Sequence, residues 1–576
     1  MIVSSPRSRL LLLAIGISLM AACGAQTRHL QVIHTTDVHG YYGMPSDPAS
    51  PGGLERLAGV VEAARARGPV LLVDSGDMWS GTQLSDRTEG ALGVAAYNLL
   101  GYDAVALGNH EFDYGPLGAR REGGSDPFGA LKARLEEAHF AVLAANLRLR
   151  EGGGPVPWPG LSGSVIVERG GFRVGLVGVV TEDTPSITFP HVGDTLEFQV
   201  AHEAVAREAE ALRTKGAEIV FVLAHIGGRC DEHTDPEDLS SCVDQSPIFQ
   251  LVRELPEGLV DAVFGGHTHR NIAHRVSGTP VLQGGRYGRA VSMLNVSAAG
   301  EEMSLSFDPP QVLEGPVPRT RLGDKVEALL GPFESELRDI RGERLGARLV
   351  RPLSRSASEG GRLGAFFCDV LMEEIPDHDL CILNSGGLRK NLPEGDVTYG
   401  ALYDVLPFGN RPATLEISGR VLRQILQIST SGAHGLPQVA GVQITVHQGQ
   451  DPCPTMDRSG DGEVGRSDRD RLHSVTTSDG EAIDPDKTYR VLTNSFLARG
   501  GDHWRATLSA VHPDRKRVLV DELPVRDLIA GWMRRVAPIL NSPDNPLIPD
   551  VRVVLKGTNS DAACPELKAP SAGHGH

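Results

Sequence analysis

Positive charge is in short supply in this sequence. Its 576 residues carry 56 lysines and arginines against 73 aspartates and glutamates, a net charge of −17 at pH 7. That deficit argues against binding a nucleic-acid polymer through a basic surface. It also requires that any anionic substrate be held by local cations, either metal ions or individual arginines. Long apolar runs are scarce too: after the stretch from Leu10 to Met20, no run is apolar enough to cross a bilayer. Cysteines number seven, and the spacing of Cys230 and Cys242 fits no standard zinc-ligand pattern. What is present, 40% hydrophobic and 22% charged residues, is the composition of a globular chain long enough for several domains.

At the N-terminus, Arg7 and Arg9, the apolar run and Ala21-Ala22-Cys23 read as a secretory signal. Cysteine directly after small residues resembles a bacterial lipobox, with Met20 where leucine is usual. Residues 1–22 are then expected to be removed and Cys23 lipidated; a plain signal peptide cleaved nearby is the alternative. On this reading the mature protein is exported, periplasmic or at the outer surface of a bacterial membrane, and held there by lipid alone. Export permits disulfides, and Cys230 with Cys242, bracketing a short acidic loop, is the best pair. Cys368 and Cys381 fall in apolar segments and read as buried thiols. Cys453 and Cys564 can also pair, and sequence does not decide it.

The most informative stretch is Leu71 to Asp77, an aliphatic run stopped by Gly76-Asp77. It suits a central parallel strand covered on both faces, with Asp77 in the crevice beyond the strand end where ligands bind. The same pattern recurs. Strand His29 to Ile33 leads to Asp37 and His39, two apart and so expected on one side of an extended strand end. Helix Leu54 to Arg67 leads into the Asp77 strand, and helix Gly90 to Leu100 precedes strand Asp103 to Leu107, which ends in Gly108-Asn109-His110-Glu111-Phe112-Asp113. Asn109 offers a carbonyl oxygen to a metal, and Asp113 can orient His110 and favour its cationic form. Residues Glu151 to Ser164 read as a loop and Val174 to Val180 as a strand, and Gly193 to Lys215 contains an amphipathic helix. Strand Ile219 to Ala224 ends in His225, and strand Leu259 to Phe264 ends in Gly265-Gly266-His267-Thr268-His269.

Taken in order, Asp-x-His, Gly-Asp, Gly-Asn-His-Glu, a lone strand-end histidine and Gly-His-Thr-His resemble the signature of the calcineurin-type metallophosphoesterases. The resemblance implies an α/β fold, a four-layer αββα sandwich over residues 28–315. It also implies two divalent metal ions, of Zn, Mn, Fe or Co, with no thiolate to select zinc. One ion would be held by Asp37, His39, Asp77 and His269, the other by Asp77, Asn109, His225 and His267. A hydroxide bridging the two metals would attack phosphorus, and His110 with Asp113 would supply charge or a proton to the transition state.

Gly315-Pro316-Val317-Pro318 closes this half. Leu322 to Leu345 has a helical apolar pattern through Val326, Leu329, Leu330, Phe333 and Leu337, and Pro332 is expected to kink or interrupt it. Residues 316–345 read as a connector. Beyond it stand helix Leu363 to Met372, strand Leu380 to Leu383, and the turns around Asn384 to Arg389, Leu406 to Asn410 and Asn494 to Asp502. Together these resemble the C-terminal domain of the bacterial and animal 5′-nucleotidases, a family that includes periplasmic UDP-sugar hydrolases. The likeness covers about residues 346–555 and implies an α+β substrate-binding domain, with the connector as a hinge. In it Phe408 and Phe496 would sandwich a nucleobase, Asp502 would bind ribose, and Asn384 and Arg389 would contact the nucleotide. A further arginine near Arg355 is expected, at a spacing that departs from the family.

Asp457, Ser459, Asp461 and Asp468, with Gly462 at the turn, resemble a calcium loop of EF-hand or dockerin type and read equally as a plain acidic loop. Residues 556–576 are expected to be a disordered tail. The reading is therefore an exported, monomeric phosphohydrolase releasing phosphate from nucleoside 5′-monophosphates. UDP-sugar or 2′,3′-cyclic-nucleotide cleavage is the nearest alternative. A sulfur-oxidation hydrolase and a non-catalytic nucleotide-binding lipoprotein are more distant ones.

Overall fold

A computed structural model of the protein describes residues 27–45, 50–118, 126–300, 302–316, 319–356, 362–433, 435–448, 456–458, 468–519, 523–540 and 552–557. Cys23, Cys453, Ser459, Asp461, Cys564 and the tail from 558 lie outside them. None of the described helices is long and apolar enough to cross a membrane.

Two sheets packed face to face make the first half. In the larger one, Val70–Asp74 lies parallel to both Arg28–Thr35 and Ala104–Ala106, and Ala104–Ala106 parallel to Ala141–Leu143. In the other, Ile219–His225 runs parallel to Phe172–Val180 and Ala262–Gly265. Every residue of Val70–Asp74 and Ile219–His225 is buried, as expected of strands with both faces covered. The alternation of side chains sorts them into layers. Leu71, Val73, Phe221, Leu223 and Phe264 fill the space between the sheets. Leu72 and Val105 face helices Leu54–Arg67 and Ala91–Leu100, and Val220 and Val222 face helix Ala201–Thr214. The result is the four-layer sandwich. Helix Ala91–Leu100 stops at Gly101, whose φ of 74° gives the left-handed C-cap that glycine favours.

The second half is built on a five-stranded sheet ordered Gln438–Ala440, Leu380–Leu383, Thr488–Asn494, Pro412–Ser418, Lys516–Val518. Cys381 and Leu383 face helices Leu363–Glu374 and Val525–Val536. Leu380 and Ile382 face helix Gly419–Thr430, so this sheet too is covered on both sides.

Four expectations change. The helix Arg321–Gly342 runs unbroken through Pro332. Pro332 is exposed, and the buried Val326, Leu330 and Leu337 fasten the helix to the first core on either side of the lost hydrogen bond. Phe333, counted in the apolar stripe, is 39% exposed. The Glu151 to Ser164 loop contains a short strand, Leu161–Ser162, which pairs with Ala141–Leu143 at the sheet edge. Cys368 and Cys381 are joined as a disulfide between helix and strand, whereas the Cys230–Cys242 disulfide, in a loop, is the pair expected. Apolar flanks alone hid the first pair.

Candidate metal centre and substrate cavity

The ends of the parallel strands are zipped together by backbone hydrogen bonds. Asp37 N donates to Gly76 O at 3.0 Å, His39 N to Asp77 O at 2.9 Å and Gly40 N to Met78 O at 3.1 Å. Asp37 and His39 do converge, though not by strand alternation. Their φ angles are 52° and 50°, and Asp77, His267 and His269 also adopt positive φ, at 56°, 74° and 59°. Side chains in this left-handed region are strained by about 1–3 kcal/mol each unless their surroundings hold them.

Glu111 does much of that holding. Its carboxylate accepts from the backbone N–H groups of Asp77 (2.9 Å), Met78 (2.8 Å) and Gly108 (2.6 Å). A Cβ at Gly108 would stand 2.2 Å from Asp77 Oδ1, and one at Gly266 would stand 2.3 Å from Thr36 Oγ1, so both turns need glycine.

Two groups of donor atoms result. In the first, the Nε2 atoms of His39 and His269 point at each other across 2.9 Å. His269 Nε2 lies 3.4 Å from Asp37 Oδ1, and His39 Nε2 lies 3.6 Å from Asp77 Oδ2. His39 Nδ1 is 3.0 Å from Ser80 O, the carbonyl to which it donates, so the lone pair is left on Nε2. In the second, His225 Nε2 lies 3.1 Å from Asp77 Oδ2 and 3.2 Å from Asn109 Oδ1, and its Nδ1 is 2.8 Å from Ser75 O. His267 joins Asp77 and His225 with ligand atoms all within 4.8 Å, while its backbone N–H donates to both oxygens of Asp37 at 3.0 Å. Asp77 belongs to both groups. All seven residues named from the sequence as metal ligands meet here.

The electrostatics of His39, His269 and Asp77 match that role. Burial holds the His39 imidazole down to about 3 and that of His269 well below its ordinary value, so both are neutral donors. Burial opposes ionisation of Asp77, but His225, His110 and His39 hold its carboxyl well below the usual carboxylate range. The Nε2 atoms of His39 and His269, 2.9 Å apart with an Asp37 and an Asp77 oxygen beside them, are a set of ligand atoms that one cation would draw together. The mixed N/O set without thiolate therefore fits a pair of divalent metal ions.

Beside the ligands, His110 Nδ1 donates to Asp113 Oδ2 at 2.6 Å, and the same oxygen accepts from Ser80 Oγ at 2.6 Å. Burial alone would depress His110; Asp113 and then Asp77 outweigh it and push the imidazole up to about 9, so it is a cation at neutral pH.

A cavity of about 340 Å³ opens from this cluster into the second half. Its walls include Asp77, Asn109, His110, His267 and His269 on one side and Asn384, Arg389, Phe408, Phe496 and Asp502 on the other. Phe408 lies nearly parallel to His110, with ring centroids 6.5 Å apart, and the Arg389 guanidinium is 5.8 Å from the Phe408 ring. Gly501 packs directly on Phe496, where a Cβ would fall 2.4 Å from the ring. Asn384 Oδ1 accepts from Asn494 Nδ2 at 2.9 Å. Burial pushes the Asp502 carboxyl up to about 7, against a hydrogen bond from Asn384. Arg355 does not line the cavity; its Nη1 donates to Leu388 O at 2.6 Å. Of the calcium-loop residues, Asp457 and Asp468 are described, and the Asp468 carboxylate accepts from Arg458 N at 2.6 Å.

Sequence reasoning missed Glu111, although it stands inside the Gly-Asn-His-Glu motif. It also missed Asp86, Tyr403 and Arg526, which line the cavity as well.

A family model for calcineurin-like phosphoesterases matches residues 30–271, and one for the 5′-nucleotidase C-terminal domain matches residues 344–509. The chain is 26% identical over 519 residues to the trifunctional nucleotide phosphoesterase protein YfkN of Bacillus subtilis, a match covering 84% of this chain and 32% of that protein. It thus spans about a third of that relative's length. It is 28% identical over 566 residues to the snake venom 5′-nucleotidase of Gloydius brevicauda, covering 87% of this chain and 86% of the other. A solved structure of a 5′-nucleotidase precursor from Thermus thermophilus superposes with a TM-score of 0.70 at 22% identity, over 92% of this chain and 99% of that one, and so shares the fold.

Replacing Glu111 by alanine leaves three buried N–H groups without their acceptor and frees the Asp77 turn. Metal affinity should fall about 10–100-fold, read as weaker manganese or zinc uptake in a calorimetric titration.

Proposed function

We propose that this chain, which belongs to the calcineurin-like phosphoesterases and joins that domain to a 5′-nucleotidase C-terminal domain, releases phosphate from nucleoside 5′-monophosphates. It is a metal-dependent phosphoester hydrolase by family. One observation carries the choice of substrate: a single cavity is walled on one side by the metal-type ligands and on the other by two phenylalanines, an arginine and a carboxylate. A phosphate at the ligands and a base between the aromatics would fill it.

In this reading residues 28–315 do the chemistry, 316–345 connect, and 346–555 bind the nucleoside. Stacking on Phe408 and Phe496 contributes about 1–3 kcal/mol and tolerates any base. Asp502 accepts from the ribose hydroxyls, Asn384 braces Asp502, and Arg389 supplies near the phosphate the positive charge that the acidic chain otherwise lacks. Two divalent cations, held by the two groups that share Asp77, would activate a water between them and neutralise the phosphoryl oxygens. The His110 cation adds charge or a proton at the transition-state oxygens, with Asp113 and Ser80 fixing its ring. The protein is taken to be exported as a monomer and lipid-anchored through Cys23, at the periplasmic face or outer surface. The Cys230–Cys242 disulfide supports an oxidising compartment.

Metal-depleted protein should release no phosphate from 5′-AMP and regain activity on addition of manganese or zinc. Folded, metal-loaded protein that cleaves UDP-sugars or 2′,3′-cyclic nucleotides but not 5′-AMP would replace the substrate; release without metal would overturn the mechanism. His110→Ala should lower kcat by about 10²–10⁴-fold with KM for 5′-AMP little changed. Because the Asp502 carboxyl titrates near 7 and only its ionised form accepts two hydroxyl donors, KM for 5′-AMP should rise as pH falls through about 7. The Asp502→Asn variant carries the substrate's own titration alone, and the same rise in that variant would count against the assignment.

A further inference from the structure

One wall of the cavity has no task in the nucleotide reading. Arg526, on helix Val525–Val536, is only 8% exposed and lines the cavity beside Tyr403 and Asp86. Its Nη1 donates to two consecutive carbonyls, Leu406 O at 2.9 Å and Pro407 O at 3.0 Å, immediately before Phe408. Its Nε reaches the Tyr399 hydroxyl at 3.3 Å, and its guanidinium lies 4.1 Å from the centroid of the Tyr403 ring. A planar cation clamped on one side by carbonyls and on another by a π-face is fixed in orientation as no ammonium would be.

The contact continues into the other half of the molecule. The Tyr403 hydroxyl hydrogen-bonds to Asp86 Oδ2, and Asp86 Oδ1 accepts from the Tyr114 hydroxyl at 2.9 Å. Tyr114 in turn accepts from Ser80 N at 3.0 Å, and Ser80 Oγ donates to the Asp113 oxygen that holds His110. An unbroken run of hydrogen bonds and ring contacts thus links the His110 imidazole to the turn that presents Phe408.

We infer that Arg526 is a positioning residue for the Phe408 platform, and that the Tyr403–Asp86 bond sets the register of that platform against His110 and the metal ligands. The inference rests on the nucleotide reading and deepens it: the grip on the base, and not the chemistry at phosphorus, depends on this wall. Loss of Arg526 strands two buried carbonyls and frees the turn. Lysine can bring one nitrogen to the carbonyls but has neither the second nitrogen that reaches Tyr399 nor the planar face that stacks on Tyr403. Tyr403→Phe keeps the ring under the guanidinium and removes only the bond to Asp86.

The test uses the full metal-loaded protein and compares kcat and KM for 5′-AMP with those for 4-nitrophenyl phosphate, which has no nucleobase or ribose. In Arg526→Gln the ratio of the two kcat/KM values should fall about tenfold, chiefly through KM for 5′-AMP, with a smaller fall in Arg526→Lys and Tyr403→Phe. A general lesion would lower both substrates in step. A ratio within twofold of the parent in Tyr403→Phe and in each Arg526 variant that retains the parent's thermal transition would overturn the inference. If Arg526→Gln does not fold, Arg526→Lys and Tyr403→Phe decide. A parent protein with no preference for 5′-AMP over 4-nitrophenyl phosphate is a separate result, which overturns the nucleotide reading and this inference with it.

Discussion

A carboxylate buried at a strand end is tolerable only when cations or hydrogen-bond donors surround it, and Asp77, 1% exposed, sets that demand for the first half of the molecule. Three imidazoles gather round it, from His39, His110 and His225. Glu111 fixes the backbone on which it is mounted. The two-sheet sandwich supplies the rigid platform: the strands that lead to Asp37, Asp77 and Asn109 are parallel neighbours in one sheet, and the strand that ends in His225 packs against them from the other. The glycines at 76, 108 and 266 follow from the same demand, because a side chain there would collide with backbone or with the ligands. Strain is concentrated at this point too, in five ligands held at positive φ, where bound metal would contribute to holding them.

The second half solves a different problem. Arg389 stands at the mouth of the metal-ligand cluster, close enough to act on the charges of His39, His110 and His269, and in the proposed reading it is the local cation that an acidic protein needs to hold an anion. The aromatic residues beside it give a surface that accepts a flat, poorly charged group. The contact between halves is polar and specific: Tyr403 to Asp86, Arg505 to Asp194 at 3.3 Å, and Arg499 over Phe189 at 5.4 Å. Polar contacts of this kind can be made and broken without exposing a core, which suits a cavity that must open to exchange substrate and product.

The sequence by itself determined the chemistry of the first half. Aliphatic runs that stop at Gly, Asp, Asn or His are local signals, so the ligand types and their order along the chain were legible before any contact was known. The strands and most helices were legible for the same reason. The helix Leu54–Arg67 and the strand Leu380–Leu383 have the expected ends. Only the tertiary structure decided how those ligands converge. Asp37 and His39 meet through left-handed turns pinned to the neighbouring strand, not through the alternation of an extended chain. Glu111 and Arg526 escaped notice because an ordinary acid and an ordinary base carry no local mark of function. Glu111 acts on Asp77, 34 residues away, and Arg526 on Leu406, 120 residues away. Partners at such separations are brought together by folding alone, and no pattern along the chain encodes them.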